Sequence, residues 1–84
     1  MQNIENYSRV AKYGVLCNLL KKPIEMIYGG EDLPNGVVAP AIIKGIITKV
    51  NEDRKTFRFD FENPKSSDET NVLLQIDEVE AFEV

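Results

Sequence analysis

The amino-acid sequence predicts an α+β protein that is mainly β: one N-terminal helix followed by an antiparallel sheet of about five short strands. Three observations support this prediction. Apolar residues recur at helical spacing only near the N-terminus, they alternate with polar residues after Pro23, and turn sequences separate the alternating runs. With 84 residues, 43% hydrophobic and 29% charged, residues 1–84 are expected to form a single globular domain.

The helix is predicted over about residues 8–22. Ser8 is suited to cap its first turn, and Pro23 would stop it. Gly14 costs the helix about 1 kcal/mol, so a strand through residues 15–20 is a competing prediction. The apolar face consists of Val10, Tyr13, Leu16, Cys17 and Leu20.

A short strand is predicted after Pro23, where Ile24, Met26 and Tyr28 alternate with other residues. Glycine and proline are concentrated in residues 29–40, which predicts a loop or a wide hairpin connection. This segment lacks the Lys and Ser/Thr that a phosphate-binding P-loop requires at fixed offsets.

The clearest pattern is a hairpin, in which strands 42–50 and 56–62 flank the polar turn 51–55. Three phenylalanines on the second strand, Phe57, Phe59 and Phe61, point to one face. If the five turn residues are unpaired, these rings lie opposite Lys49, Ile47 and Gly45, in that order, and Gly45 leaves room for a ring. The other face then pairs Lys44 with Glu62, Ile46 with Asp60 and Thr48 with Arg58.

The last part of the chain begins with a polar loop over residues 63–71. Val72, Leu74 and Ile76 then alternate with other residues, and a final apolar run follows among acidic residues. The apolar phase slips near Asp77–Glu78, which predicts a tight turn or a bulge between two short strands.

This order of elements is similar to that of small SH3-type barrels. Residues 45–57 (GIITKVNEDRKTF) and 74–82 (LQIDEVEAF) resemble the core of Sm-like domains and of the YolD-like bacterial family, over about residues 20–84 in all. The resemblance implies a five-stranded antiparallel barrel. The chain lacks the Asp and Asn with which Sm proteins hold uridine, so RNA binding is not implied. YolD-like proteins are small accessory proteins, so that similarity implies no defined activity.

Composition excludes several kinds of active site. The chain has no histidine and one cysteine, so it cannot alone form a Ser-His-Asp or Cys-His nucleophile system or a zinc site of imidazoles and thiolates. Cys17 is expected to be a packed apolar residue. The carboxylates lack EF-hand spacing. We therefore expect a protein that is not an enzyme and that holds no cofactor or metal.

The single cysteine also favours a reducing compartment. The first residues do not resemble a secretory signal, and the apolar runs are far shorter than the roughly twenty residues of a membrane span. We expect a cytoplasmic protein without a membrane segment.

The formal net charge of −4 is unevenly distributed. Residues 1–49 hold six basic and four acidic side chains, a net +2, whereas residues 50–84 hold four basic and ten acidic side chains, a net −6. The acidic half would repel nucleic-acid phosphates. Such a surface fits a solubilising role or the attraction of a basic partner.

The preferred functional prediction is a protein-interaction module, because apolar residues occupy both faces of several predicted strands. Ile27, Ile46 and Leu73 are predicted to form an apolar patch rimmed by the acidic residues Asp77, Glu78 and Glu80. The expected partner is a protein with a basic surface or a second copy of this chain.

The alternative is a nucleic-acid-binding protein that uses the basic hairpin. Its candidate contacts are Lys44, Lys49, Arg54, Lys55 and Arg58. The alternating phenylalanines would then stack on bases, although a small domain needs such rings for its core.

Overall fold

A computed structural model describes residues 1–29 and 40–84. The predicted loop over residues 29–40 therefore lies almost entirely outside the described residues. The elements are β1 (Gln2–Asn3), α1 (Arg9–Asn18), β2 (Pro23–Tyr28), β3 (Ala41–Val50), β4 (Thr56–Phe61), β5 (Val72–Gln75) and β6 (Val79–Glu83), with 3₁₀ turns at Ser67–Glu69 and Ile76–Glu78. Over the described residues, the prediction of a mainly β, α+β protein with one helix is confirmed.

The described strands form one antiparallel sheet in the order β1-β6-β2-β3-β4-β5. The sheet has two edges, β1 and β5, so the closed five-stranded barrel is not confirmed. The additional strand, which the sequence did not predict, is β1. It has two residues, too few to show any alternation of apolar and polar residues. The predicted turn near Asp77–Glu78 is confirmed as the 3₁₀ turn Ile76–Glu78, which carries the chain from β5 to β6.

The N-terminal helix is confirmed but is shorter than the predicted 8–22, and the competing strand over residues 15–20 is wrong. Ser8 caps it, because its hydroxyl oxygen accepts a hydrogen bond from the Ala11 N–H at 3.2 Å. The helix ends at Asn18. Lys21 follows with a left-handed φ of 65°, and its N–H donates to the Ile47 carbonyl of β3 at 2.9 Å. This contact turns the chain toward β2 before Pro23 is reached.

The hairpin of β3 and β4 has the predicted register at three positions, where Gly45, Ile46 and Ile47 face Phe61, Asp60 and Phe59. A bulge between Ile47 and Lys49 then shifts the pairing, so that Val50 faces Phe57 and Lys49 faces Arg58.

The predicted pairs of Phe57 with Lys49 and of Thr48 with Arg58 are therefore wrong. Strict alternation from Ile47 would have turned the Lys49 ammonium inward, at a large desolvation cost. The extra residue of the bulge leaves Lys49 exposed and buries Val50 instead.

The core lies on the inner face of the sheet, against α1. Phe57 and Phe59 are fully buried there with their ring centroids 6.4 Å apart in an edge-to-face arrangement. These two rings belong to the core and are not available to stack on bases. The other fully buried large side chains are Ile4, Leu16, Met26, Ile47, Leu74, Ile76 and Val79.

No helix in the described part of the chain is both long enough and apolar enough to span a membrane.

Candidate protein-interaction site

The three apolar residues predicted to form one patch lie apart on the sheet. Ile27 of β2 pairs with Ile42 of β3. Ile46 pairs with Pro23 on one side and Asp60 on the other. The pair Glu25 and Lys44 lies between these two apolar rows.

Leu73, which is 39% exposed, faces Arg58 from β5, two strands away from β3. The structure thus does not bring Ile27, Ile46 and Leu73 into one continuous apolar surface.

Ile46 instead lines a groove of about 540 Å³. Neighbouring parts of β2, β3 and β4 form it together with Glu62, Glu83 and Val84. The apolar residues that line it are Pro23, Ile24, Ile46, Phe61 and Val84, with Gly45. Pro23 and Ile46 lie on the outer face of the sheet, whereas Ile24, Gly45 and Phe61 lie on the core face. Ile46 and Phe61 are partly buried, whereas Pro23 and Val84 are exposed. The groove therefore presents apolar surface to solvent.

Charged side chains also line this groove. Four are carboxylates, Glu25, Asp60, Glu62 and Glu83, and one is the ammonium of Lys44, a net charge of −3. Lys44 Nζ lies 3.8 Å from Glu25 Oε1, and the Lys44 side chain is 63% exposed. An exposed ion pair of this length is weak, so the groove remains an acidic site.

Gly45 is required where β3 and β4 come together. A Cβ at this position would overlap the Asp60 carbonyl oxygen and would lie 2.9 Å from Phe59 Cε2. Gly45 does oppose Phe61, as predicted, but the ring that a side chain would displace is that of Phe59.

The predicted acidic residue Asp77 holds the helix to the 3₁₀ turn. Arg9 Nη2 donates to Asp77 Oδ2 at 2.7 Å, and Arg9 Nε lies 3.1 Å from both carboxylate oxygens. These hydrogen bonds, and to a smaller extent the Arg9 charge, hold the pKa of Asp77 below its usual value. The buried Lys12 donates from Nζ to the Asp77 carbonyl at 2.8 Å. Asp77 is therefore a structural residue.

The other two predicted acidic residues also join parts of the fold. The Glu78 carbonyl accepts the Gly29 N–H at 2.9 Å, and the Glu80 carbonyl accepts the Ile4 N–H at 2.8 Å. The Glu80 carboxylate packs against Gly29. Neither residue, nor Asp77, lines the groove.

The five basic residues of the alternative prediction do not form one surface. Lys44 lies in the groove, three strand positions from the start of β3. Near the hairpin turn, the Arg54 guanidinium lies 5.2 Å from the centroid of the Tyr13 ring on α1.

Arg58 points the other way and donates from Nη1 to the Asn71 carbonyl at 3.1 Å. Lys49 and Lys55 are exposed near the same turn. Lys49 is the Cα partner of Arg58, whereas Arg54 lies toward the helix and Lys44 lies in the groove.

Sequence reasoning missed most of the groove, because its residues come from four separate segments. Pro23 and Glu25 belong to β2, Glu62 follows β4, and Glu83 and Val84 end the chain. Only the pairing of β2 with both β3 and β6 brings them together. The local sequence did indicate one part of the groove: Lys44 and Ile46 are two positions apart on β3, which places both on the face opposite Ile47.

Within residues 1–29 and 40–84, no group of three acidic or thiol side chains is placed to hold a metal ion. Comparisons of the chain with protein-family models, with curated proteins and with solved structures found no match.

Proposed function

We propose that this chain is a non-enzymatic interaction module that binds another protein through the groove around Ile46. The observation that carries the proposal is the combination of apolar lining and net negative charge in a groove of about 540 Å³. Apolar surface at the centre of a contact supplies binding free energy, and charge at its rim steers the partner and selects it.

The acidic lining supports a partner with a basic surface. It disfavours nucleic acid at the groove, because the phosphates would meet four carboxylates and one ammonium. A second copy of the chain is the alternative protein partner.

Two further expectations belong to this proposal. The long hairpin of β3 and β4 and the bent pair of last strands are the features that support a relationship to small SH3-type barrels. The partly buried free thiol of Cys17 supports a cytoplasmic setting, where such a thiol stays reduced.

The proposal is tested by affinity capture from extracts of the source cells, with the wild-type chain and the variant Ile46→Arg. Arginine at this position would place a bulky positive charge in the groove. The matched control is Ile42→Arg, since Ile42 is on the same strand, is 64% exposed and lies outside the groove. Nuclease treatment and a solution mass for each variant accompany the capture.

The proposal predicts a protein that the wild type and Ile42→Arg retain, that Ile46→Arg loses, and that nuclease does not release. Self-association that Ile46→Arg abolishes would identify the partner as a second copy. Capture that nuclease abolishes would contradict the proposal and favour the basic hairpin. Retention of the same proteins by all three chains would also contradict it.

A further inference from the structure

We propose that the groove binds a basic peptide segment of the partner, with one large apolar side chain packed against Ile46 and Pro23 and with lysine or arginine residues on both sides of it. This inference rests on the proposed function and names the chemistry of the partner.

The size and lining of the groove support an inserted side chain. A volume of about 540 Å³ is within the range of roughly 300–1,000 Å³ found for ligand pockets. Ile46 and Pro23 are Cα partners on the outer face of the sheet; Ile46 is partly buried and Pro23 is exposed. An apolar side chain placed here would cover surface that the chain itself leaves in contact with water.

The carboxylates lie on both sides of this apolar surface. In the order β6-β2-β3-β4, Glu83 belongs to the first strand and Glu62 follows the last. A segment that crosses the four strands would therefore meet a carboxylate near each end. This arrangement fits basic residues on both sides of the inserted side chain.

The lining charges are only partly compensated within the chain. Glu25 and Glu83 are Cα partners across β2 and β6, and like charges at such positions repel one another. Lys44 contacts Glu25 at 3.8 Å, and the Met1 amino group lies 3.5 Å from Glu83 Oε1. Among the described residues, no ion pair includes Glu62. Cationic groups from a partner would relieve the repulsion and pair with Glu62.

The test uses ¹⁵N-labelled protein and three blocked seven-residue peptides, followed by amide chemical shifts. The first peptide has a central phenylalanine between pairs of lysines. The second replaces the lysines by glutamates, and the third replaces the phenylalanine by serine. We expect the first peptide alone to shift the amides of Gly45, Ile46 and Phe61, with an affinity that falls as salt rises.

The double variant Glu62→Gln/Glu83→Gln should weaken the first peptide by roughly fivefold or more, as the loss of two exposed charge pairs predicts. The matched control is Glu5→Gln/Glu52→Gln, which removes the same charge from exposed positions outside the groove and should leave the affinity within about twofold. An unchanged amide spectrum away from the substitutions shows that each variant is folded.

The inference is overturned if the first peptide causes no shifts at millimolar concentration, if its shifts map outside the groove, or if the glutamate peptide binds equally well. These failures are distinguishable from failure of the proposed function. If Ile46→Arg still loses a captured protein, the chain remains an interaction module and only the basic peptide is excluded. If capture fails as well, both proposals fall.

Discussion

At the level of single residues, the two glycines of the described elements have opposite requirements. Gly45 lies in β3, where the Asp60 carbonyl and the Phe59 ring leave no space for a side chain. Gly14 lies on the exposed side of α1, where no atom is within 4 Å of a built Cβ. The first is required by packing, whereas the second only weakens the helix.

We expect Gly45→Ala to lower the free energy of unfolding by about 1–3 kcal/mol, because the backbone of β4 must move away from β3. Gly14→Ala should raise it by up to about 1 kcal/mol, because alanine is the better helix former. Urea unfolding at neutral pH measures both values. Equal midpoints for the two variants would contradict the close approach of β3 and β4.

Asp77 and Arg9 are a second pair of residues with a specific role. Their hydrogen bonds join the first turn of α1 to the 3₁₀ turn Ile76–Glu78. The Arg9 side chain is 46% exposed and that of Asp77 is 49% exposed, so solvent screens the pair and its contribution to stability is small.

This pair predicts a small pH dependence of stability. The pKa of Asp77 is lower in the folded chain than its usual value, chiefly through the hydrogen bonds from Arg9. Its contribution is therefore complete above the usual carboxyl pKa of about 4 and is lost as the pH falls through the lower, folded value.

We expect Asp77→Asn to be less stable than the wild type at pH 7 by less than about 1 kcal/mol, and the difference to shrink as the pH falls below the usual carboxyl pKa and through the lower, folded value. Urea unfolding across this pH range measures the difference. Glu52→Gln, in the exposed hairpin turn, is the control for the removal of one exposed carboxylate. A difference for Asp77→Asn that stays constant as the pH is lowered would contradict the assignment.

At the level of elements, the bulge in β3 decides which side chains of the hairpin enter the core. It lets Ile47 and Val50 both point inward, although they are three positions apart, and it leaves Lys49 exposed. Strict alternation would place Lys49 inside and Val50 outside. The structure resolves the conflict by inserting one extra residue.

The bulge is tested by a pair of truncations. Val50→Ala should cost about 2 kcal/mol, because two buried methyl groups are lost from the contact with Phe57. Lys49→Ala should change stability by less than about 0.5 kcal/mol. Thermal or urea unfolding gives both values, and the reverse ranking would show that the hairpin keeps strict alternation.

At the level of the whole molecule, the described sheet has well-paired central strands and weak edges. β2 and β3 each pair with neighbours on both sides, whereas β1 consists of two residues paired only with β6. The ten residues of β3 make the longest strand. Local opening should therefore start at β1 and reach β3 last.

Hydrogen exchange measured by NMR should follow this order. We expect the hydrogen-bonded amides of β3 to exchange at least about a hundredfold more slowly than those of β1, because opening β3 requires nearly global unfolding. β5 should be intermediate, since it pairs with β4 alone among the described strands. Equal protection of β1 and β3 would show that the chain opens as a single unit.

Much of the architecture could be predicted from local patterns. Ser8 marked the start of the helix, the alternating phenylalanines marked β4, and the change of phase near Asp77–Glu78 marked the turn between the last strands. These features depend on residues that are neighbours along the chain. Local propensity and periodicity are therefore sufficient to find them.

The candidate site was much less predictable. Ile46 was identified because its outward position follows from alternation, but the acidic residues around it were not. Asp77, Glu78 and Glu80 were chosen because they cluster in the sequence, yet Asp77 pairs with Arg9 on the helix. Glu62 and Glu83 reach the groove from different segments, and nothing in the local sequence links them.

By itself the sequence determined the mainly β class, the helix start and most of the hairpin register, because each depends on side-chain periodicity and capping over a few residues. Only the tertiary structure decided the order of the six described strands, the bulge in β3 that leaves Lys49 exposed and Val50 buried, and the acidic groove around Ile46. These features depend on which strands become neighbours. Strand order is set by packing free energy over the whole chain, whereas periodicity shows only which face of each strand is apolar.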